Sequence, residues 1–201
     1  MMSASQSLIS ELDTTLKRTS SAQHLTILQR VTDLFLDSPE RFSSDHVAVF
    51  DDVISRLIEK TEHPALIELS ARLAPVGNAP AKVIASLACN DDIAVSGPVL
   101  ETSNILTDEV LAKIAGTKNQ KLLAAIAGRT QIGEAVTDIL VDRGSSEIAR
   151  KVTANLGASI SELGFVKLIN RAKTDKPLAA TIANRKDMPP ELEPFLKLAL
   201  G

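Results

Sequence analysis

A helix, a turn and a second helix recur four times in the part of the chain after residue 79. Each copy can be anchored on an alanine near the end of a short apolar segment. One copy is "VTANLGASISELGFVKLINRA", residues 152–172. A two-helix unit cannot bury its apolar faces alone, so this repetition predicts that the copies stack on one another. The four anchors are Ala88, Ala127, Ala154 and Ala183.

Residues at fixed distances from the anchors support the repeat. Twelve positions after the anchor, every copy has an apolar residue, which predicts a buried position on the second helix. In the third copy we expect Leu163 and Val166 to form the buried stripe. The residues at the twelfth position are Leu100, Ile139, Val166 and Phe195.

The position directly after each anchor predicts how the first helix ends. Gly and Asn, which occupy it in three copies, tolerate the left-handed backbone conformation that ends many helices. We therefore expect a tight left-handed turn between the two helices of a copy. The residues at this position are Cys89, Gly128, Asn155 and Asn184.

The copies are unevenly spaced. Successive anchors lie 39, 27 and 29 residues apart, and the long first gap holds an additional helical stretch, "LTDEVLAKIAG", with Thr107 as its cap. A period of about 30 residues is shorter than is usual for two-helix repeats. The pattern predicts an irregular α-solenoid of HEAT-like stacked hairpins.

The first part of the chain is predicted to be helical as well. Apolar residues at three- and four-residue spacing indicate a helix from His24 that ends before Pro39, and a second helix begins at Ser43 or Ser44. Alternating patterns typical of strands are missing, so the predicted class is all-α. We expect one continuous body with three parts: a polar tail or capping helix (1–20), an N-terminal helical region (21–78) and the HEAT-like repeats (79–201).

Composition restricts the classes of partner. The chain has 22 basic and 25 acidic residues, interspersed rather than grouped, and a formal net charge of −3. It contains five Phe and neither Trp nor Tyr, so it offers few platforms for stacking single-stranded nucleic acid. The alternative of a HEAT-like enzyme acting on nucleic acid would need a basic channel, which this charge pattern does not predict.

Several blocks of the sequence resemble, in order, a bacterial protein family, the domain of unknown function 2336. They lie between about residues 25 and 200 and include "ELSARLAP", "DDIAVSGPVLETS", "AIAGRTQIGEAVTDILVDRG" and "ANLGASISELGFVKLINRA". The resemblance implies helical repeats similar to HEAT and leucine-rich-repeat-variant arrays. The family is uncharacterised, so the resemblance implies no catalytic residue and no cofactor.

The residue pattern predicts no catalytic, cofactor-binding or metal-binding residue. His24, His46 and His63 lack the spacing of metal ligands, and the single cysteine, Cys89, has no second thiol. We expect the histidines at the surface or at helix caps. An alternative is phosphotransfer through His24 on an exposed helix.

Two pairs of adjacent acidic residues, Asp51-Asp52 and Asp91-Asp92, invite a metal or acid–base interpretation. Neighbouring side chains on a helix point about 100° apart, so such a pair does not by itself form a paired-carboxylate site. For Asp91 and Asp92 we predict a cap on the helix that follows.

Four arginines hold related positions in the repeats. Arg129 and Arg185 each lie two residues after an anchor and are predicted to project from one edge of the stack. Arg143 and Arg171 end second helices, where a cation complements the helix C-terminus. They are either solvated helix ends or an edge that binds an anion or a partner.

Together these features predict a non-enzymatic protein–protein interaction or scaffold module of a bacterial cytoplasmic protein. No segment approaches the roughly 20 apolar residues of a membrane span, and the N-terminus lacks the apolar core of a signal peptide. The lone cysteine suits a reducing compartment. The expected partner is another protein, and neither its identity nor the oligomeric state follows from the sequence.

Overall fold

The computed structural model describes residues 21–200, and over these residues the protein is all-helical, as predicted. It has twelve α-helices and two short 3-10 helices, Pro39–Arg41 and Pro190–Leu192, and no β-strand within that range. The predicted tail or capping helix at residues 1–20 lies outside the described residues. The α-helices are α1 (Ser21–Asp37), α2 (Ser44–Ile58), α3 (His63–Leu73), α4 (Ala81–Ala88), α5 (Ile93–Thr102), α6 (Asp108–Thr117), α7 (Gln120–Ile126), α8 (Glu134–Arg143), α9 (Ser146–Ala154), α10 (Glu162–Ala172), α11 (Lys176–Ala183) and α12 (Glu193–Leu200).

The helices form two compact units. The first comprises the described residues up to Val99 together with Ser103–Leu106, and the second comprises Leu100–Thr102 and the described residues from Thr107 onwards. The division thus lies beyond residue 78, where the sequence suggested the N-terminal region ends. Helix α4 packs against α2 and α3, so the short helix of the first repeat belongs to the first unit. None of the helices between residues 21 and 200 has both the length and the apolar character needed to cross a membrane.

Local sequence explains the helices of the first unit. The Ser43 side chain accepts a hydrogen bond from the backbone N–H of His46 and caps α2, and Pro64 lies in the first turn of α3. Three of the five phenylalanines pack together where α1 meets α2. The ring centroid of Phe42 lies 5.8 Å from that of Phe35 and 4.9 Å from that of Phe50.

A buried carboxylate joins α2 to α4. Helix α4 has Pro80 at its N-cap position and no side-chain cap of its own. Asp51, on α2, takes that role across space, because its two carboxylate oxygens accept the N–H groups of Lys82 and Val83 at 3.0 Å each. The neighbouring Asp52 pairs with the Lys82 ammonium at 2.6 Å, and this hydrogen bond raises the pKa of Lys82.

The second unit arranges its helices in two rows. In one row α6 packs against α8, α8 against α10 and α10 against α12; in the other, α7 packs against α9 and α9 against α11. The anchors Ala127, Ala154 and Ala183 lie at the ends of α7, α9 and α11, as the repeat predicts. The Thr107 side chain caps α6, which confirms the additional helix in the long gap.

The turns between the helices of each copy differ from the prediction. Within residues 21–200 no residue has a positive φ, so the expected left-handed turn is wrong. Asparagine serves another purpose in the third copy. The Asn155 amide donates to the Arg129 carbonyl at 2.6 Å, and its side-chain oxygen accepts the N–H of Gly157 at 2.9 Å. The amide thus satisfies backbone groups that the turn leaves without partners.

The predicted buried stripe on the second helices is also wrong in part. Leu100 is buried, but Val166 is 44% exposed, Phe195 58% and Leu163 58%. Helix α10 carries apolar residues on two faces, and periodicity alone does not tell which face is covered. The buried face of α10 consists of Gly164, Phe165, Leu168, Ile169 and Ala172.

A close backbone contact joins the turns of two successive copies. Ile132 donates to the Gly157 carbonyl at 3.1 Å and accepts from Ser159 at 2.8 Å, which forms a single parallel bridge between Ile132 and Ala158. A Cβ atom at Gly157 would lie only 1.9 Å from the Thr130 carbonyl oxygen. This position therefore requires glycine because of space.

We predict that Gly157→Ala lowers the free energy of unfolding by about 1–3 kcal/mol, the usual cost of forcing extra atoms into a packed site. The measurement is urea denaturation followed by circular dichroism. Gly116→Ala is the matched control. A Cβ at Gly116, within α6, meets nothing within 4 Å, so that variant is expected to be as stable as the wild type or more so. Equal stability of the two variants would contradict the prediction.

Candidate functional site

Two of the four repeat arginines connect helix ends within one row. A guanidinium nitrogen of Arg143, the last residue of α8, donates to the carbonyl of Ala115 near the end of α6. One repeat later Arg171, on α10, donates to the carbonyls of Val141 and Gly144 at 2.7 and 2.9 Å, at the end of α8. The final carbonyls of a helix lack partners within it and carry partial negative charge. Each arginine therefore lies in the last turn of its own helix and donates to carbonyls at the C-terminal end of the preceding helix in the row.

The other two arginines are buried, so the expectation that they project from an edge is wrong. Arg129 is 8% exposed and donates to the Leu100 carbonyl at 2.8 Å, and burial lowers the pKa of its guanidinium. Arg185 is 6% exposed. It donates to the carbonyls of Asn155 and Ala158 at 2.6 and 2.7 Å. These side chains are buried because buried backbone carbonyls need hydrogen-bond donors, and the guanidinium groups supply them.

The spacing of these bonds matches the repeat. The arginines reach carbonyls 27 to 32 residues earlier in the chain, close to one repeat period. In the sequence, arginines at related positions of the copies could have indicated this bonding. The burial of Arg129 and Arg185 follows only from the packing of the folded chain. For Arg143, which is exposed, and Arg171, which is half-buried, the partner-binding edge stays a prediction.

The histidines and acidic pairs have local roles in the described residues. Phosphotransfer through His24 would need an exposed imidazole. His24 is only 5% exposed, so the expectation that it lies exposed on its helix is wrong. His46 Nδ1 lies 3.0 Å from the Ser43 hydroxyl and His63 Nε2 lies 2.7 Å from an Asp92 oxygen, both at the surface. Asp92 also accepts the N–H of Ala94 at 2.8 Å, which confirms the predicted cap on α5. Among residues 21–200, no group of three His, Cys, Asp or Glu side chains could hold a metal ion.

An apolar groove lies between α10 and α12, and the sequence analysis missed it. Its volume is about 430 Å³. Helix α12 buries Leu196 and Ala199 and leaves Phe195 and Leu198 58% and 80% exposed. The outer face of α10 supplies the other wall. The apolar lining consists of Val166, Ile169, Leu192, Phe195 and Leu198.

The polar lining of this groove, hereafter the α10/α12 groove, is basic. It consists of Lys167, Asn170 and Lys173, with no carboxylate. The Lys167 ammonium lies 2.7 Å from an oxygen of Asp142 on α8. Lys173 is exposed and makes no ion pair within the part of the chain that the structure describes. The groove thus combines an apolar floor with positive charge at its edge.

We predict that Arg185→Met lowers the free energy of unfolding by about 2–4 kcal/mol, because buried carbonyls lose their donors while the apolar volume is kept. Urea denaturation measures the change. The control is Arg150→Met: Arg150 is 41% exposed, and its ion pair with Asp175 spans 3.5 Å, so a loss below about 1 kcal/mol is expected. A small effect of Arg185→Met would show that water replaces the guanidinium at little cost.

A pH-dependent contribution is expected from Asp187. The hydrogen bond from Arg185 lowers the pKa of the Asp187 carboxyl below its ordinary value, and partial burial opposes this. Folding therefore favours the ionised form, and the stabilisation is complete above the unfolded-state pKa of about 4 and is lost as pH falls through the lower folded-state pKa. Because Asp187 is 51% exposed, we expect Asp187→Asn to cost less than about 1 kcal/mol at pH 7.

Urea denaturation of the wild type and Asp187→Asn at a series of pH values checks this. The difference in unfolding free energy should shrink as the pH is lowered below about 4. A difference that stays constant over the acid range would contradict an ionised Asp187 as its source.

Comparison with known proteins relates part of the chain to a bacterial family. The model of a family described as an uncharacterised protein conserved in bacteria, domain of unknown function 2336, matches residues 95–193. This range runs from α5 to the first residue of α12 and is shorter than the range over which the sequence blocks showed the resemblance. Neither a curated protein nor a solved structure matches the chain. The resemblance that the sequence blocks indicated is thus found by the family model over residues 95–193.

Proposed function

We propose that this protein is a non-enzymatic protein–protein interaction module, built as an irregular HEAT-like α-solenoid, and that it binds its partner in the α10/α12 groove. The observation that carries the proposal is the exposure of Phe195 and Leu198 beside a groove with an apolar floor. Contiguous exposed apolar surface of this kind marks interaction sites, and aromatic side chains are frequent anchors there.

The repeat supports the solenoid part of the proposal. The two rows of helices in the second unit and the arginine bonds at one-period spacing are what stacked hairpins require. Arrays of this kind offer extended surfaces on which partners bind. That such an array binds a protein is inferred by analogy with other helical-repeat proteins, and the groove supplies the specific site.

The chemistry of the lining supports recognition. Two lysines and one asparagine surround five apolar residues, an arrangement in which apolar contact supplies affinity and a few polar groups fix orientation. The chain contains a single cysteine, which suits a reducing compartment, and we infer that the interaction takes place in the bacterial cytoplasm.

The proposal predicts that Phe195→Asp and Leu198→Asp abolish partner binding without unfolding the protein, because each puts a charge on an exposed apolar wall. The measurement is affinity purification of the tagged chain from its native bacterium, with quantitative mass spectrometry of recovered proteins. Circular dichroism and urea denaturation should show wild-type helicity and stability for both variants.

Leu156→Asp is the matched control. Leu156 is 81% exposed in the same unit but does not line the groove. A protein recovered with the wild type and with Leu156→Asp, and lost with both groove variants, supports the proposal. Recovery of the same proteins with all variants, or of none with the wild type, counts against it.

A further inference from the structure

We propose that the partner segment is an amphipathic α-helix with an aliphatic stripe and acidic flanks, bound lengthwise in the α10/α12 groove. This inference rests on the proposed function and deepens it. Two observations support it. The first is the shape of the groove, together with the position of α11 on the opposite side of the same two helices, and the second is the charge at the edge of the groove.

The shape argument comes from the packing of the second unit. Helix α11 packs against both α10 and α12 and covers their inner faces. On the outer side the same two helices leave a channel lined by Val166, Phe195 and Leu198. Side chains of a helix form ridges that fit the groove between two neighbouring helices. A third helix in this channel would pack on α10 and α12 from outside as α11 does from inside.

The charge argument comes from the ionisable groups in and near the channel. Those that line it are both basic, Lys167 and Lys173. Asp142 pairs with Lys167 at 2.7 Å and Glu193 pairs with Lys197 at 3.3 Å, so the charges within each pair cancel and Lys173 supplies the net positive charge of the lining. The edge of the groove therefore attracts negative charge. An occupant with Asp or Glu beside its apolar stripe would complement it and would associate faster at low salt.

The concavity of the site favours a helix over a lipid surface. Basic residues beside apolar ones also suit anionic membranes, but membrane insertion uses an apolar face that lies along the bilayer plane. Here part of the apolar surface, including Ile169 and Leu192, is buried at the floor of a channel. A narrow inserted element reaches that floor. The stripe of such a helix is expected to follow i, i+3 or i+4, and i+7 spacing.

The test uses the full chain and a displayed library of 20-residue peptides that tile the proteome of the native bacterium. Peptides are selected on the wild type, and each enriched peptide is then measured against variants by fluorescence anisotropy. We expect enrichment of acidic peptides with helical apolar spacing. For these, Leu198→Asp should weaken binding at least about tenfold, and Lys173→Glu about fivefold at low salt.

Lys186→Glu is the charge-matched control. Lys186 is exposed and does not line the groove, and the substitution changes the net charge by the same amount as Lys173→Glu. It should leave binding within about twofold of the wild type. Enriched peptides that lack helical spacing or acidic residues, yet lose binding with Leu198→Asp, would overturn this inference and leave the proposed function standing. Enrichment unaffected by Leu198→Asp would overturn both.

Two further outcomes also decide the matter. Binding to vesicles of anionic phospholipid that Leu198→Asp abolishes, with no peptide enriched, would overturn the inference in favour of a membrane surface. A dimer in analytical ultracentrifugation that Leu198→Asp dissociates would assign the groove to a second copy of the chain and likewise overturn it.

Discussion

Carbonyl groups at helix C-termini impose the main constraint on the second unit. Its helices are only seven to eleven residues long, so many helix ends lie in a small volume and their last carbonyls have no partner within the helix. Four arginines supply donors from one repeat later in the chain. Because a guanidinium holds five N–H donors in a fixed plane, one side chain can hold two or three carbonyls at once. This fixes both the distance and the rotation between successive repeats.

These bonds also join into a continuous series that runs through the stack. The Arg129 guanidinium holds the Leu100 carbonyl, the Arg129 carbonyl accepts the Asn155 amide, and the Asn155 carbonyl accepts Arg185. Each of these bonds has at least one end at the turn of a copy, at Arg129, Asn155 or Arg185. The close approach at Gly157 belongs to the same region and brings two turns within backbone hydrogen-bonding distance. Turn chemistry in this protein therefore connects repeats as well as reversing the chain.

The sequence predicted those features that depend on neighbours along the chain. The all-α class, the anchors at helix ends and the caps at Ser43, Thr107 and Asp92 follow from local spacing and were confirmed. Contacts across space could not be read in this way. Asp51 caps a helix 31 residues away, and Arg185 is buried because carbonyls of another repeat surround it. The groove was missed for a related reason, since Val166 and Phe195 fit an apolar period but lie on the uncovered face.

Only one of the two walls of the α10/α12 groove lies within the segment that the family model matches. Helix α10, with Val166, lies inside the matched segment, whereas that segment ends at residue 193, where α12 begins. Phe195 and Leu198, the most exposed apolar side chains of the groove, lie beyond it. A fragment cut at the boundaries of the matched segment would keep one wall of the groove, lose the other and remove the packing of α12 against α11. If the groove binds a partner as proposed, recognition depends on a helix that lies almost entirely outside the matched segment.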